Sequence, residues 1–355
     1  MDIYNPYPPG GAPVPDPVMM INEQRRRERH GLFVNAMKLG ILLLMYEGLT
    51  YVMNRLYFIA LYVSATGSFT LDMNEIRKYL SDHYSTYSSS FYSMLGNLSI
   101  VSVSVVVLFV AARVMFKISL VPMLRPKAAY FSGGIKWFSA SMSINVLVSF
   151  LVGILVYVLG TIGVVVPESD FSMTDSSLGT LIMQFLYVVA IGPVCEEFIY
   201  RGLVITLLKP YGKGLAVFFS AFIFGLMHGN IPQFAATFAG GLVFAAVAVK
   251  YDSIVPTLVM HILNNIAASI YDFTDVLGIS RSTAGNIYNS IVIVCMVFGL
   301  YMLIVHFRQL RPSEEKRFSL TSGQRRLAVF SNIAMLVYFG FIAIKYIRSF
   351  MMYNQ

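Results

Sequence analysis

Hydrophobic positions in this chain form long continuous runs instead of the alternating or one-face patterns of soluble strands and helices. A membrane-spanning helix needs about 20 predominantly apolar residues, so these runs predict transmembrane helices. The first and fourth runs are longer than one crossing requires and the fifth is short, so we expect about eight or nine spans. The predicted fold is an all-α, polytopic transmembrane helical bundle. The nine candidate spans are 32–64, 91–112, 138–166, 178–208, 214–229, 231–249, 254–271, 286–307 and 327–347.

The composition agrees with a membrane protein. Of 355 residues, 57% are hydrophobic and 12% charged, whereas a soluble domain has about 45–50% apolar and about 25% charged residues. This composition excludes a soluble globular enzyme. The two cysteines exclude a disulfide scaffold. The sequence also has no GxxxxGK[ST], GxGxxG or HExxH motif, so P-loop, Rossmann and zincin functions are not indicated.

The charge distribution predicts the orientation. Residues 5–17 are rich in proline and glycine, and an arginine cluster follows, so residues 1–30 are predicted to be a disordered, basic, cytoplasmic tail. The net charge of +8 comes from short basic segments between apolar runs, a pattern of cytoplasmic loops and not of a nucleic-acid-binding module. A cytoplasmic N-terminus places 19 Lys and Arg residues inside and five outside. Lys345 and Arg348 fall on the outer side, in conflict with this rule.

Three charged residues lie within the fourth apolar run, in the sequence IGPVCEEFIYRGL. Each costs at least about 2.5–3.5 kcal/mol at the centre of a bilayer, so their presence needs a reason. Glu197 and Arg201 are four residues apart and face each other on a helix. Glu196 points about 100° away and is not neutralised by that pair. A structural ion pair therefore explains one glutamate but leaves the second unexplained.

Further polar residues follow in the next predicted spans. Phe224 and His228 are one helical turn apart, and His261 shares a helix face with Asn265. A single histidine in an apolar helix is more often a hydrogen-bonded core residue than a catalyst. Two histidines, an amide and the spare Glu196 in neighbouring spans indicate a common polar site.

The three motifs EExxxR, FxxxH and HxxxN, in this order, resemble those of the CPBP family. This family contains the CAAX prenyl endopeptidases of the Ras-converting type and the bacteriocin-processing and immunity proteins also called Abi. The resemblance covers about residues 180–270. It implies an intramembrane glutamic endopeptidase in a bilayer, which we expect to be a bacterial cell membrane. The implied substrate is a CAAX-type protein, a leader peptide or a membrane protein.

The resemblance also implies roles for individual residues. Glu196 and His228 would activate a water molecule, while His261 and Asn265 would stabilise the oxyanion; Glu197 and Arg201 would form a structural ion pair. No cofactor is expected. The alternative is a zinc site formed by Glu196, His228 and His261 with one open position. The metal-free version is preferred because asparagine is a poor zinc ligand and a good oxyanion donor.

The implied organisation divides the chain after the tail into three parts. They are N-terminal transmembrane helices over 31–175, a catalytic core over 176–272 and C-terminal transmembrane helices over 273–355. A non-catalytic immunity or scaffold protein of the same family remains an alternative, as does a transporter or channel, since buried ionisable residues also mark ion pathways. The two halves show no self-similarity that would favour transport.

Two remaining features receive structural interpretations. Glu47 and Arg55 in the first span are interpreted as a structural pair or as interfacial side chains. Cys195 and Cys295 are interpreted as packing residues.

Overall fold

The protein is described by a computed structural model over residues 16–83, 90–124, 127–167, 177–313 and 318–353. These residues form helices and connecting loops, with no strand among them. The helices are α1 (Pro17–Thr66), α2 (Met73–Asp82), α3 (Ser90–Phe116), α4 (Ala128–Thr161), α5 (Leu178–Tyr211), α6 (Lys213–Leu226), α7 (Ile231–Tyr251), α8 (Val255–Tyr271), α9 (Arg281–Gln309), α10 (Ser322–Phe330) and α11 (Ile333–Tyr353).

The polytopic helical bundle is confirmed. Within the described part of the chain, seven helices are long and apolar enough to cross a membrane: α1, α3, α4, α5, α7, α9 and α11. The other two predicted spans correspond to α6 and α8, which are shorter apolar helices of 10–17 residues. The protein is therefore an integral membrane protein, whose described residues include seven long apolar helices and two shorter apolar ones.

Helix α1 begins earlier than the sequence predicted. The Asp16 side chain accepts a hydrogen bond from the backbone N–H of Val18, and Pro17 occupies the first turn, which are both typical of a helix start. Glu23 and Arg27 pair one turn apart. Residues 17–30 are thus helical and not part of a disordered tail, because glycine and proline are absent between Pro17 and Gly31. Residues 1–15 lie outside the described residues.

Other boundaries also differ from the predicted ones. Helix α4 begins ten residues before the predicted span at 138–166. The predicted span 327–347 is divided between α10 and α11, where Asn332 Oδ1 accepts a hydrogen bond from Ala334 N and Nδ2 donates to Phe33 O. Asn332 therefore starts a new helix and ties it to α1. Three acidic residues between α4 and α5 lie outside the described residues, namely Glu168, Asp170 and Asp175.

Helix α4 is central to the packing, because α7, α8 and α9 all pack against it. Helix α5 contacts α3, α6 and α8, while α1 packs between α3 and α11. The loops predicted to be cytoplasmic meet at one end of the bundle: Lys209 pairs with Asp252, Ile254 N donates to Met123 O over 3.1 Å, and Arg325 contacts Tyr211 O. Apolar side chains of these helices form one continuous core.

Glu47 and Arg55 do not form a direct pair, which was one of the two interpretations given to them. Glu47 Oε2 lies 3.1 Å from Lys345 Nζ of α11, and the Glu47 side chain is only 7% exposed. The Arg55 guanidinium instead lies over the Tyr51 ring, 4.9 Å from its centroid. Eight residues along a helix correspond to about 12 Å, too far for a direct pair. The contact between Glu47 and Lys345 also accounts for Lys345. This lysine is neutralised within the bundle and does not belong to an outer loop.

Candidate active site

The middle of α5 departs from α-helical geometry, and the sequence explains why. At residues 185–191 the helix widens, and Gly192 N bonds to Tyr187 O, five residues earlier, instead of to Val188 O. The next residue, Pro193, has no N–H to offer. Val188 O is thus left without a partner within its helix and accepts a 2.7 Å hydrogen bond from Asn265 Nδ2 of α8. This contact fixes Asn265 against the segment that carries the two glutamates.

Glu197 and Arg201 form a fully buried ion pair, with 3.0 Å between Glu197 Oε1 and Arg201 Nη1. The guanidinium lies between two aromatic rings, 4.2 Å from the Phe224 centroid and 5.0 Å from that of Phe244. An arginine over an aromatic face is stabilised by a cation–π interaction. Phe224 therefore links the arginine of the first motif to the second motif, which it begins.

His261 lies between the two glutamates. Its Nδ1 is 2.9 Å from Glu197 Oε1, and its Nε2 is 3.6 Å from Glu196 Oε2. The ring itself is buried. An ionised carboxylate only accepts hydrogen bonds, so Nδ1 is the donor and carries a proton. This fixes the ring orientation and directs Nε2 towards Glu196.

His228 lies in the turn that follows α6. Its Nδ1 is 2.9 Å from Phe224 O, and a carbonyl oxygen can only accept, so this nitrogen carries the proton. In the neutral ring Nε2 then has a free lone pair and can accept a proton. The Phe224 ring lies edge-on to the same imidazole, with 5.0 Å between ring centroids.

The turn with His228 is supported by α11, outside the predicted catalytic core. Tyr346 donates a 3.1 Å hydrogen bond to Leu226 O, and the Tyr338 hydroxyl lies 3.1 Å from Met227 Sδ. These contacts come directly before His228 in the chain. The C-terminal helix thus takes part in positioning the second motif.

The structure places Glu196, His228, His261 and Asn265 around one cavity of about 130 Å³. The Glu196 side chain is 39% exposed, whereas that of Glu197 is fully buried. Asn145, Thr237 and Asn264 also line this cavity and were missed from the sequence. Asn264 adjoins a motif position, and Asn145 is a single amide in an apolar run, which by itself is a weak signal.

Among the described residues, no group of three or more His, Cys, Asp or Glu side chains could hold a metal ion. Glu196, His228 and His261, the set expected for zinc, line one cavity but do not form such a group. Cys195 and Cys295 are buried free thiols.

The fold and the site together define a polytopic membrane protein with a carboxylate–histidine site enclosed among its helices. Residues 178–267 match the family model described as Type II CAAX prenyl endopeptidase Rce1-like. This segment, about a quarter of the chain, is similar to Rce1-like endopeptidases, so the resemblance to the CPBP family is confirmed. The match supports CAAX-type intramembrane protease activity in general. No curated protein and no solved structure matches the chain.

Proposed function

We propose that this protein is an intramembrane endopeptidase that hydrolyses a peptide bond with a water molecule activated by Glu196 and His228. The observation that carries the proposal is the different environment of two adjacent glutamates. Glu197 is fully buried and bonded to Arg201 and His261, whereas Glu196 is partly exposed and lines the cavity with His228. A general base must reach water, and only Glu196 meets this condition.

His228 supplies a second proton acceptor. Its Nδ1 is committed to Phe224 O, so the free Nε2 can accept a proton from water or hold the water in place for Glu196. The water oxygen attacks the carbonyl carbon, and its proton passes to the Glu196–His228 pair. The same proton is then delivered to the leaving amine nitrogen, which breaks the C–N bond and returns both residues to their starting state.

His261 and Asn265 would stabilise the oxyanion of the tetrahedral intermediate. An asparagine amide has two N–H donors, and only one of those of Asn265 is needed for Val188 O. When both ring nitrogens of His261 carry a proton, Nε2 donates to the oxyanion while Nδ1 keeps its hydrogen bond to Glu197. Before the reaction starts, such donors already point at the position where negative charge develops in the transition state.

Glu197 then acts as a positioning residue. Its Oε1 contacts both Arg201 Nη1 and His261 Nδ1, so it fixes the oxyanion donor as well as its own helix. A carboxylate that orients a histidine in this way sets both the ring rotation and the protonated nitrogen.

The substrate class follows from the family match. Membrane-associated proteins are the expected substrates, and a prenylated CAAX-type C-terminus is our first choice; leader peptides and membrane proteins are the others. The rival functions are a non-catalytic immunity or scaffold protein and a zinc protease that uses Glu196, His228 and His261. We place the enzyme in a bacterial cell membrane with its N-terminus in the cytoplasm.

The test is cleavage of a fluorescence-quenched, farnesylated CAAX peptide by the purified full-length protein in lipid vesicles. Loss of a general base costs about 10²–10⁴-fold in rate, so Glu196→Gln should lower cleavage by this factor while the protein stays folded. Full cleavage by folded Glu196→Gln would contradict the proposal. Binding of the peptide without cleavage by the unmodified protein would favour the scaffold.

A further inference from the structure

Asn145 is a polar side chain of the cavity to which the proposed chemistry gives no role. It lies on α4, outside the matched residues 178–267, in a helix that is otherwise strongly apolar. It lines the same cavity as Glu196, His228 and His261. A molecule that reaches the proposed base therefore also meets this amide.

The amide has an unused acceptor. Asn145 Oδ1 is buried, and none of the described residues donates a hydrogen bond to it. Buried polar atoms in proteins are nearly always paired, and Asn145 lines the reaction cavity, so a ligand in the cavity can supply the missing partner when the amide turns towards it. That partner must be a hydrogen-bond donor.

A close approach of two helices leaves room for the amide. A Cβ atom on Gly240 of α7 would lie 2.0 Å from Asn145 Oδ1, closer than atoms can approach. Only glycine at this position leaves room for the amide, and α7 packs directly against α4. The sequence of α7 thus keeps the Asn145 side chain beside the cavity.

Building on the proposed function, we propose that Asn145 binds the main chain of the peptide substrate next to the scissile bond. Its Oδ1 accepts the N–H of one substrate residue, and its NH₂ group can donate to a substrate carbonyl. An asparagine amide offers the same donor and acceptor as a peptide group, so the two can pair in both directions. This contact holds the chain in register and is independent of the substrate side chains.

The contact is made in the ground state and in the transition state alike, so its loss should raise KM and leave kcat nearly unchanged. Loss of a neutral hydrogen bond changes affinity by about tenfold. We therefore expect Asn145→Ala to raise KM for the farnesylated CAAX peptide about tenfold. Gly240→Ala should have a similar effect because it displaces the amide. Asn97→Ala is the matched control, since Asn97 is a partly buried amide of α3 that lines a different cavity.

The decisive experiment replaces single peptide bonds of the probe by esters, each of which lacks one N–H. Binding is measured in the Glu196→Gln background, where hydrolysis does not interfere. One ester near the scissile bond should weaken binding by Glu196→Gln about tenfold, and adding Asn145→Ala should then cause a smaller further loss than it causes with the all-amide probe. The assignment would be overturned if Asn145→Ala lowered the affinity equally for every ester and amide probe, or if it left binding unchanged.

Failure of the inference and failure of the proposed function are distinguishable. If Glu196→Gln abolishes cleavage but Asn145→Ala changes neither KM nor binding, only the role of Asn145 is wrong. If folded Glu196→Gln cleaves at the full rate, the proposed function is wrong. If Asn145→Ala weakens peptide binding but the unmodified protein cleaves no peptide, the peptide-binding site is supported and the peptidase function is contradicted.

Discussion

His261 Nδ1 lies 2.9 Å from Glu197 Oε1, so the glutamate paired with Arg201 in its own helix also orients a histidine of α8. From the sequence, Glu197 was interpreted as a purely structural partner of Arg201. The contact adds a second effect, because any change at Glu197 also releases the ring of His261. A substitution of Glu197 should therefore change both stability and activity, whereas a substitution of Glu196 can change activity alone.

The first prediction concerns this difference. Glu197→Gln leaves the buried Arg201 without its counter-ion, and breaking a buried pair costs about 3–5 kcal/mol. We expect a large fall in thermal stability in detergent, together with lost activity. Glu196→Gln removes a partly exposed charge and should leave stability unchanged or raised. Equal destabilisation by the two variants would contradict the division of roles.

The second prediction concerns Asn265, whose amide both faces the cavity and caps Val188 O. Asn265→Ala should lower kcat about 10²–10³-fold as a lost oxyanion donor. It should also lower stability by about 1–3 kcal/mol, since Val188 O would be buried without a partner. Asn264→Ala is the control, because Asn264 lines the same cavity and its Nδ2 donates to Asn265 Oδ1 over 3.3 Å, whereas the donor to Val188 O is Asn265. Equal stability losses in the two variants would argue against the cap.

The sequence predicted the parts of the site that depend on helical periodicity. Glu197 and Arg201 face each other as four-residue spacing requires, and His261 and Asn265 line the same cavity. It did not predict the contact between Asn265 and Val188 O. That contact depends on a widened turn, for which Pro193 is a visible but ambiguous signal, since proline in a membrane helix can also cause a simple kink.

The sequence did not predict the contacts between distant helices. Asn145 looks like any single amide in an apolar run until Gly240 of α7 is placed against it. The pairing of Glu47 with Lys345 joins residues 298 positions apart, and local spacing instead pointed to Arg55. Periodicity determines which face a residue occupies but not which helix packs on that face.

The third prediction concerns metal. Because the proposed mechanism activates water with Glu196 and His228 and uses no metal, cleavage should be unaffected by a chelator such as EDTA or 1,10-phenanthroline. Purified protein should contain zinc well below one equivalent by elemental analysis. Activity lost to the chelator and restored by added zinc would instead support a site made of Glu196, His228 and His261.

The fourth prediction concerns orientation. The excess of basic residues on one side predicts that the N-terminus and the 308–326 loop are cytoplasmic. In a background without Cys195 and Cys295, Gln24→Cys and Arg311→Cys should react with an impermeant maleimide only after permeabilisation. Arg281→Cys, at the start of α9 and at the opposite end of the bundle, should react in intact cells. The reverse pattern would invert the topology.

The last prediction concerns the ion pair between α1 and α11. Lys345→Met leaves the Glu47 carboxylate, which is only 7% exposed, without its partner. Because Lys345 is itself partly exposed, we expect a loss of about 3 kcal/mol, the lower end of the range for breaking a buried pair. Adding Glu47→Gln removes the unpaired charge and should recover most of this stability.

The double-mutant cycle in thermal unfolding then gives a favourable coupling energy of more than about 1 kcal/mol. Arg55→Met is the control, because Arg55 lies over Tyr51 and not beside Glu47, and its loss should cost at most about 1 kcal/mol. The adjacent residue Tyr346 holds the turn before His228, so Lys345→Met should also reduce cleavage measured below the unfolding temperature. Additive effects of Glu47→Gln and Lys345→Met would show that the two charges do not interact, and the last helix would then be held to α1 by apolar packing alone.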